Sequence, residues 1–151
     1  MIKTIRLLLV ALIMLSVFNS CKKDQMEVDE KLIQEFISKN KIPAVRHSEG
    51  FYYHIITPGA GNIVYTLNTV VSANYTGRLL NGSVFETSTS PIEFPLSGVI
   101  KGWELGVRLI QRGGKIRLII PSELAYGRAG KGKIKPNTVL DFDIELVNVQ
   151  N

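Results

Sequence analysis

Apolar and polar residues alternate along three stretches of the chain. Leu140, Phe142, Ile144 and Leu146 alternate with Asp141, Asp143 and Glu145. Ile116, Leu118 and Ile120 follow Gly113-Gly114 and stop at Pro121, and Val71, Ala73 and Tyr75 alternate with Ser72, Asn74 and Thr76. A period of two sends successive side chains to opposite faces, so each stretch reads as a strand with one buried face. Phe51 to Thr57 is aromatic and β-branched, ends at Pro58-Gly59, and reads as a fourth strand. Asn81-Gly82 lies between Arg78-Leu79-Leu80 and Ser83-Val84-Phe85, which predicts a type I′ hairpin with positive φ at both central residues. That hairpin puts Tyr75 and Phe85 on neighbouring strands. Ile92, Phe94 and Leu96 alternate with Glu93 and Pro95, and Pro95 restricts the run to an edge or bulged strand.

Two stretches change period. Ile100, Trp103, Val107 and Ile110 fall on one face of a short helix that covers the sheet. From Asp24 to Ser38, Val28, Leu32, Ile33, Phe36 and Ile37 recur at helical spacing among good helix formers. This amphipathic helix is too short for a coiled coil, so it docks on its own domain or spaces that domain from a membrane. Asn40 to Gly50, with Pro43, reads as a linker. The predicted fold is α+β: a curved antiparallel β-sheet wrapped around one short α-helix, preceded by an N-terminal amphipathic helix.

The N-terminus adds an address. Met1 to Arg6 is short and basic, Leu7 to Phe18 is almost unbroken apolar, and Asn19-Ser20 precede Cys21. This is the layout of a secretory signal peptide. The apolar run is about a dozen residues, short of the roughly 20 that a spanning helix needs. Cys21 is the only cysteine, so no disulfide forms within the chain. Phe18-Asn19-Ser20-Cys21 resembles the lipobox of bacterial lipoproteins, which implies a diacylglyceryl thioether on Cys21. Lys22 rather than Asp follows it, which implies an outer-membrane lipoprotein facing the periplasm. The chain therefore divides into a signal peptide (1–20), a lipidated N-terminus with helix and linker (21–50) and a main domain (51–151).

Composition and charge mostly exclude. The length suits one domain with its own core, and the formal net charge of +5 includes Lys3 and Arg6 of the leader. Basic residues are scattered among acids, with no stripe and no patterned stacking aromatics, so nucleic-acid binding is not indicated. His47 and His54 have no cysteine or carboxylate at metal-ligand spacing, so no metal site is expected, and His54 reads as an exposed strand residue.

The remaining chemistry is aromatic. Trp103, the single tryptophan, stands beside Gly102, and Tyr75, Phe85 and Tyr126 come from separate segments. Together they can wall a small pocket with few polar groups, suited to a compact apolar ring such as proline. The set Ala73-Asn74-Tyr75-Thr76-Gly77, Gly82-Ser83-Val84-Phe85-Glu86, Val99-Ile100-Lys101-Gly102-Trp103-Glu104, Gly114-Lys115 to Ile120-Pro121, Leu124-Ala125-Tyr126-Gly127 and Ile134-Lys135-Pro136-Asn137 to Glu145-Leu146 resembles the FKBP-type peptidyl-prolyl cis-trans isomerases. The resemblance covers about residues 50 to 149, with every motif in family order.

By position, the resemblance implies Trp103 as the pocket floor and Tyr75, Phe85, Val99, Ile100, Ile134 and Phe142 as its walls. Tyr126 is implied as the hydroxyl donor to a substrate carbonyl and Glu86 as the polar group of one wall. Without the family, Phe94, Phe142 and Ile144 would read as plain core. No cofactor is implied, and the partners are proline-containing, unfolded or exported polypeptides bound by a monomer.

Two departures from the family pattern stand out. Glu86 replaces the usual Asp, and the Arg that often follows is missing from a shortened Thr87-Ser88-Thr89-Ser90 loop, which implies weaker binding of macrolide inhibitors. Lys131, Lys133 and Lys135 precede Pro136, so a basic loop beside the pocket could favour acidic clients. The expected function is isomerisation of X-Pro bonds in exported proteins; the alternative is a proline-peptide-binding chaperone or assembly factor with little turnover.

Overall fold

The computed structural model describes residues 25–151. The expected signal peptide, Cys21 and the first residue of the predicted amphipathic helix lie outside them. Helix α1 (residues 25–40) is followed by strands β1 (Val45–Arg46), β2 (Tyr52–Thr57), β3 (Val70–Leu79), β4 (Val84–Thr87) and β5 (Ile92–Pro95). Then come helix α2 (Lys101–Val107), β6 (Lys115–Ile120), a 3₁₀ turn at Ser122–Leu124, and β7 (Leu140–Gln150).

All pairings are antiparallel, in the order β1-β2-β6-β7-β3-β4, with β5 also on β3. β3 is long enough to serve two partners end to end: Val70–Ala73 pair with β5 and Thr76–Arg78 with β4. As expected for a strand containing Pro95, β5 pairs with β3 alone. This split leaves a gap beside Tyr75, where Ser88 bonds both backbone groups of that residue and ties the strand crossing together.

One face of the sheet holds the main core. Val71, Ala73, Ile116, Leu118, Ile120, Leu140, Ile144 and Leu146 are buried there with Trp103 and Val107 of α2. Helix and sheet approach closely because Gly102 and Gly106, one turn apart, face β6: a Cβ on Gly102 would sit 2.5 Å from Ile120 Cγ2, and one on Gly106 2.5 Å from Leu118 Cδ1. That contact sets how deeply Trp103 sinks between the strands.

The opposite face carries α1. Ile33 is fully buried against Ile42, Tyr52, Ile119 and Val139, with Phe36 and Ile37 beside them. The helix docks on its own domain, but its buried side is narrower than the sequence pattern predicts. Val28 and Leu32 are exposed, and Asp29 occupies the covered side instead. The expected linker also contributes structure: β1 pairs with Tyr52 and Tyr53.

Three other expectations are corrected. Asn81 does not have positive φ and Gly82 does (φ 89°). Gly82 donates to the Leu79 carbonyl at 2.9 Å, and Leu79 donates to Ser83 at 2.9 Å. The connection is thus a three-residue loop with glycine in the left-handed position, not a two-residue type I′ turn. Asn81 Oδ1 accepts the Ser83 N–H at 3.0 Å, the local bond that favours this loop. His54 is half-buried. Asp141, on the face predicted to be solvated, is only 2% exposed, because Arg117 clamps both its oxygens at 2.8 Å and Arg78 lies 3.6 Å away.

Candidate functional site

The aromatic side chains converge where α2 meets the sheet. Trp103 stands edge to face with three rings: Tyr75 of β3 at 5.1 Å, Phe142 of β7 at 5.5 Å and Phe94 of β5 at 5.7 Å between centroids. Such T-shaped contacts set the positive edge of one ring on the negative face of another. The Trp103 N–H is buried with no hydrogen-bond partner among the described residues, so ring packing holds the indole in place.

These rings open onto a cavity of about 180 Å³ lined by Tyr75, Glu86, Phe94, Val99, Ile100, Trp103, Tyr126, Lys131 and Phe142, with Gly98 at its margin. It is smaller than the roughly 300–1,000 Å³ typical of drug-sized ligand sites and suits one compact ring. A larger groove, about 650 Å³, runs between α1 and Pro121–Leu124, but its walls mix Glu30, Lys31, Arg46 and Glu49 and gather no aromatic rings.

Of the residues singled out in the sequence, the structure brings Tyr75, Glu86, Val99, Ile100, Trp103, Tyr126 and Phe142 to the cavity. Phe85 stands behind this wall, edge to face with Phe142 at 5.6 Å, and Ile134 is buried in the adjoining core. Sequence reasoning missed Phe94, because an edge strand that ends in proline gives no sign that its aromatic reaches α2. The basic loop lies beside the cavity as expected, but only Lys131 lines it. A tight turn, closed by reciprocal bonds of 2.9 Å between Lys131 and Ile134, sets Lys131 Nζ 5.3 Å from the centre of the Tyr126 ring.

Polar groups are few. Ile100 precedes α2, and its carbonyl accepts from Trp103 and Glu104 at 3.0 and 3.1 Å. Its own N–H has no partner among the described residues, and neither has the Tyr126 hydroxyl. Two donors on the cavity lining are therefore free to meet a carbonyl. Burial, with the Glu86 carboxylate beside it, pushes the Tyr75 phenol up to about 12, so it stays a neutral donor. Glu86 itself is exposed on β4. Among the described residues no group of histidines, cysteines and carboxylates could hold a metal ion. The arrangement can bind an apolar ring and orient an adjacent carbonyl; it contains no paired nucleophile and base.

Comparison with known proteins agrees. Residues 63–147 match the family described as FKBP-type peptidyl-prolyl cis-trans isomerase. The chain is 45% identical over 106 residues to the FKBP-type peptidyl-prolyl cis-trans isomerase FkpA of Escherichia coli, a match covering 68% of this chain and 39% of that protein. It thus spans about two fifths of that relative's length. The crystal structure of FkpA from Escherichia coli superposes with a TM-score of 0.74 at 38% identity, over 85% of this chain and 62% of that one. The crystal structure of a peptidyl-prolyl cis-trans isomerase from Pseudomonas syringae gives 0.71 at 38% identity, over 83% of this chain and 96% of that one. Because that family match covers more than half of the chain and the fold agrees with both solved structures, the chain belongs to the FKBP-type peptidyl-prolyl cis-trans isomerase family.

Proposed function

We propose that this protein is a peptidyl-prolyl cis-trans isomerase that assists the folding of exported proteins in the bacterial cell envelope. The observation that carries the reading is the small aromatic cavity with two unpartnered donors, the Ile100 N–H and the Tyr126 hydroxyl, on its lining. X-Pro bonds interconvert slowly over a barrier of roughly 18–20 kcal/mol, and no bond need break. The planar amide is more dipolar than the twisted one, so rings that exclude water disfavour the planar ground state more. Tyr126 and Ile100 hold the carbonyl beside the proline in its rotated pose, while Trp103 supports the ring from below. Phe85 and Ile134 back the walls, and Glu86 stands at the polar side.

Cys21 fits a lipid anchor: its sulfur takes a diacylglyceryl group from a phospholipid as a thioether, releasing the phosphate headgroup and the thiol proton, and the cysteine becomes the mature N-terminus once the signal (1–20) is cleaved. The lipid on Cys21 then holds the domain, with α1 docked on its sheet, as a monomer at the outer membrane, facing the periplasm. No helix among the described residues is long and apolar enough to cross a membrane. Palmitate labelling that persists in a Cys21→Ala protein would contradict the assignment.

The folding role is tested with a secreted protein whose refolding has a slow X-Pro-limited phase. The protein accelerates that phase catalytically, at concentrations well below those of the client, and Trp103→Ala does not. A second reading, a binding module with little turnover, draws on Glu86 and the shortened 87–90 loop; suppressed aggregation with an unchanged slow phase would favour it.

A further inference from the structure

Asp29 of α1 is fully buried, and nothing in the isomerase site as described uses it. Its Oδ2 accepts the backbone N–H of Ser122 at 2.8 Å and the Ser122 hydroxyl at 2.6 Å. Its Oδ1 accepts from Gln25 Nε2 at 2.7 Å. The contact spans 93 positions of sequence and ends on the turn that leads into Tyr126, which lines the cavity. Ser122 opens the 3₁₀ turn, and its carbonyl accepts from Ala125 at 3.0 Å and from Gly127 at 2.8 Å, the two neighbours of Tyr126. Gly127 in turn accepts from Asn137 at 2.8 Å. One carboxylate on the far helix therefore grips the residue that grips both sides of Tyr126.

A charge-assisted double bond of this kind is stronger and more directional than a neutral one. Attaching α1 does not require it, because Ile33, Ile42, Tyr52, Ile119 and Val139 already bury an apolar contact, and the Tyr52 hydroxyl donates to Glu30 at 2.5 Å. A carboxylate is costly to bury and is kept where its bonds fix geometry. We propose that Asp29 is a positioning residue for isomerisation: through Ser122 it fixes the turn that presents the Tyr126 hydroxyl, making α1 a working part of the site. The proposal rests on the reading that Tyr126 donates to the substrate carbonyl.

The test is a double-mutant cycle in the full chain, measuring kcat on a short Xaa-Pro peptide, peptide affinity from Trp103 emission, and Tm. Asp29→Ala lowers kcat about tenfold while affinity changes by no more than about twofold, because a shifted donor harms the rotated pose more than ring binding. Asp29→Asn recovers most of the loss, since its amide oxygen still accepts from Ser122. In a Tyr126→Phe background, Asp29→Ala costs nothing further. If Asp29→Ala does not fold, Ser122→Ala replaces it, with a smaller kcat loss that again vanishes beside Tyr126→Phe. A kcat that is unchanged while Tm falls, or losses that multiply in the double variant, would overturn the proposal. Full turnover by Tyr126→Phe alone would instead remove the role of Tyr126, and the proposal with it, and the single-variant arm tells the two failures apart.

Discussion

The phenol of Tyr75 and the indole of Trp103 meet at 90°, with ring centroids 5.1 Å apart, joining the middle of β3 to the helix that crosses it. One residue faces this way because β3 alternates; the other does because Gly102 lets α2 settle onto β6.

Tyr75 and Tyr65 give this fold an alkaline limit. Burial pushes both phenols up to about 12, against about 10 in an unfolded chain. The fold thus favours the protonated form. Its contribution is complete below about pH 10 and is lost progressively as pH climbs through 12. Urea unfolding should show stability falling between about pH 10 and 12. Tyr75→Phe should shallow the fall; an unaltered slope would show that Tyr75 ionises as freely folded as unfolded.

Gly102→Ala tests the close contact under Trp103. Alanine gains about 1 kcal/mol of helix propensity, but a Cβ 2.5 Å from Ile120 Cγ2 overpacks the core at a cost of roughly 1–3 kcal/mol. The expected net is a loss of about 1 kcal/mol, with Trp103 emission shifted as the helix lifts. A gain in urea midpoint would mean that Ile120 simply turns aside.

Lys131 lines the cavity, so its charge should act on residues flanking a bound proline. Peptides with Glu before the proline should be turned over about two- to fivefold faster than those with Lys, a modest factor because an exposed charge is screened. Lys131→Glu should reverse the order, and raising the salt should flatten it. Equal rates for both peptides at low salt would remove any selective role for the loop.

Glu86 carries its carboxylate one methylene further out than the family's usual Asp. Glu86→Asp should tighten macrolide binding by roughly ten- to a hundredfold, the worth of one regained hydrogen bond to a charged group. Titration giving equal affinities would show that the length of this side chain is immaterial to the wall.

Much of this was legible because burial writes a period into sequence. Leu140 to Leu146 alternate strictly, and β7 pairs on both sides with one face in the core. Trp103, Tyr75 and Tyr126 could be picked out by their motifs. What stayed hidden depends on contacts distant in sequence. Phe94 reaches Trp103 only because β3 is shared by two partners. Asp29 is, in sequence, one more polar residue of an amphipathic helix, since nothing local reveals its bond to Ser122. The Asn81-Gly82 pair signalled a hairpin, but the Asn81–Ser83 bond shifted the turn by one residue. Asp141 is buried through Arg117, whose pairing follows from register rather than from composition.

Catalysed exchange of a short Xaa-Pro peptide, followed by NMR with wild-type protein and with Tyr126→Phe, tests the central claim most directly. The account predicts cis/trans exchange that is fast with the wild type and at least about tenfold slower with the variant, while Trp103 emission still reports binding in both. Folded wild-type protein that binds the peptide and leaves its exchange at the uncatalysed rate would contradict it.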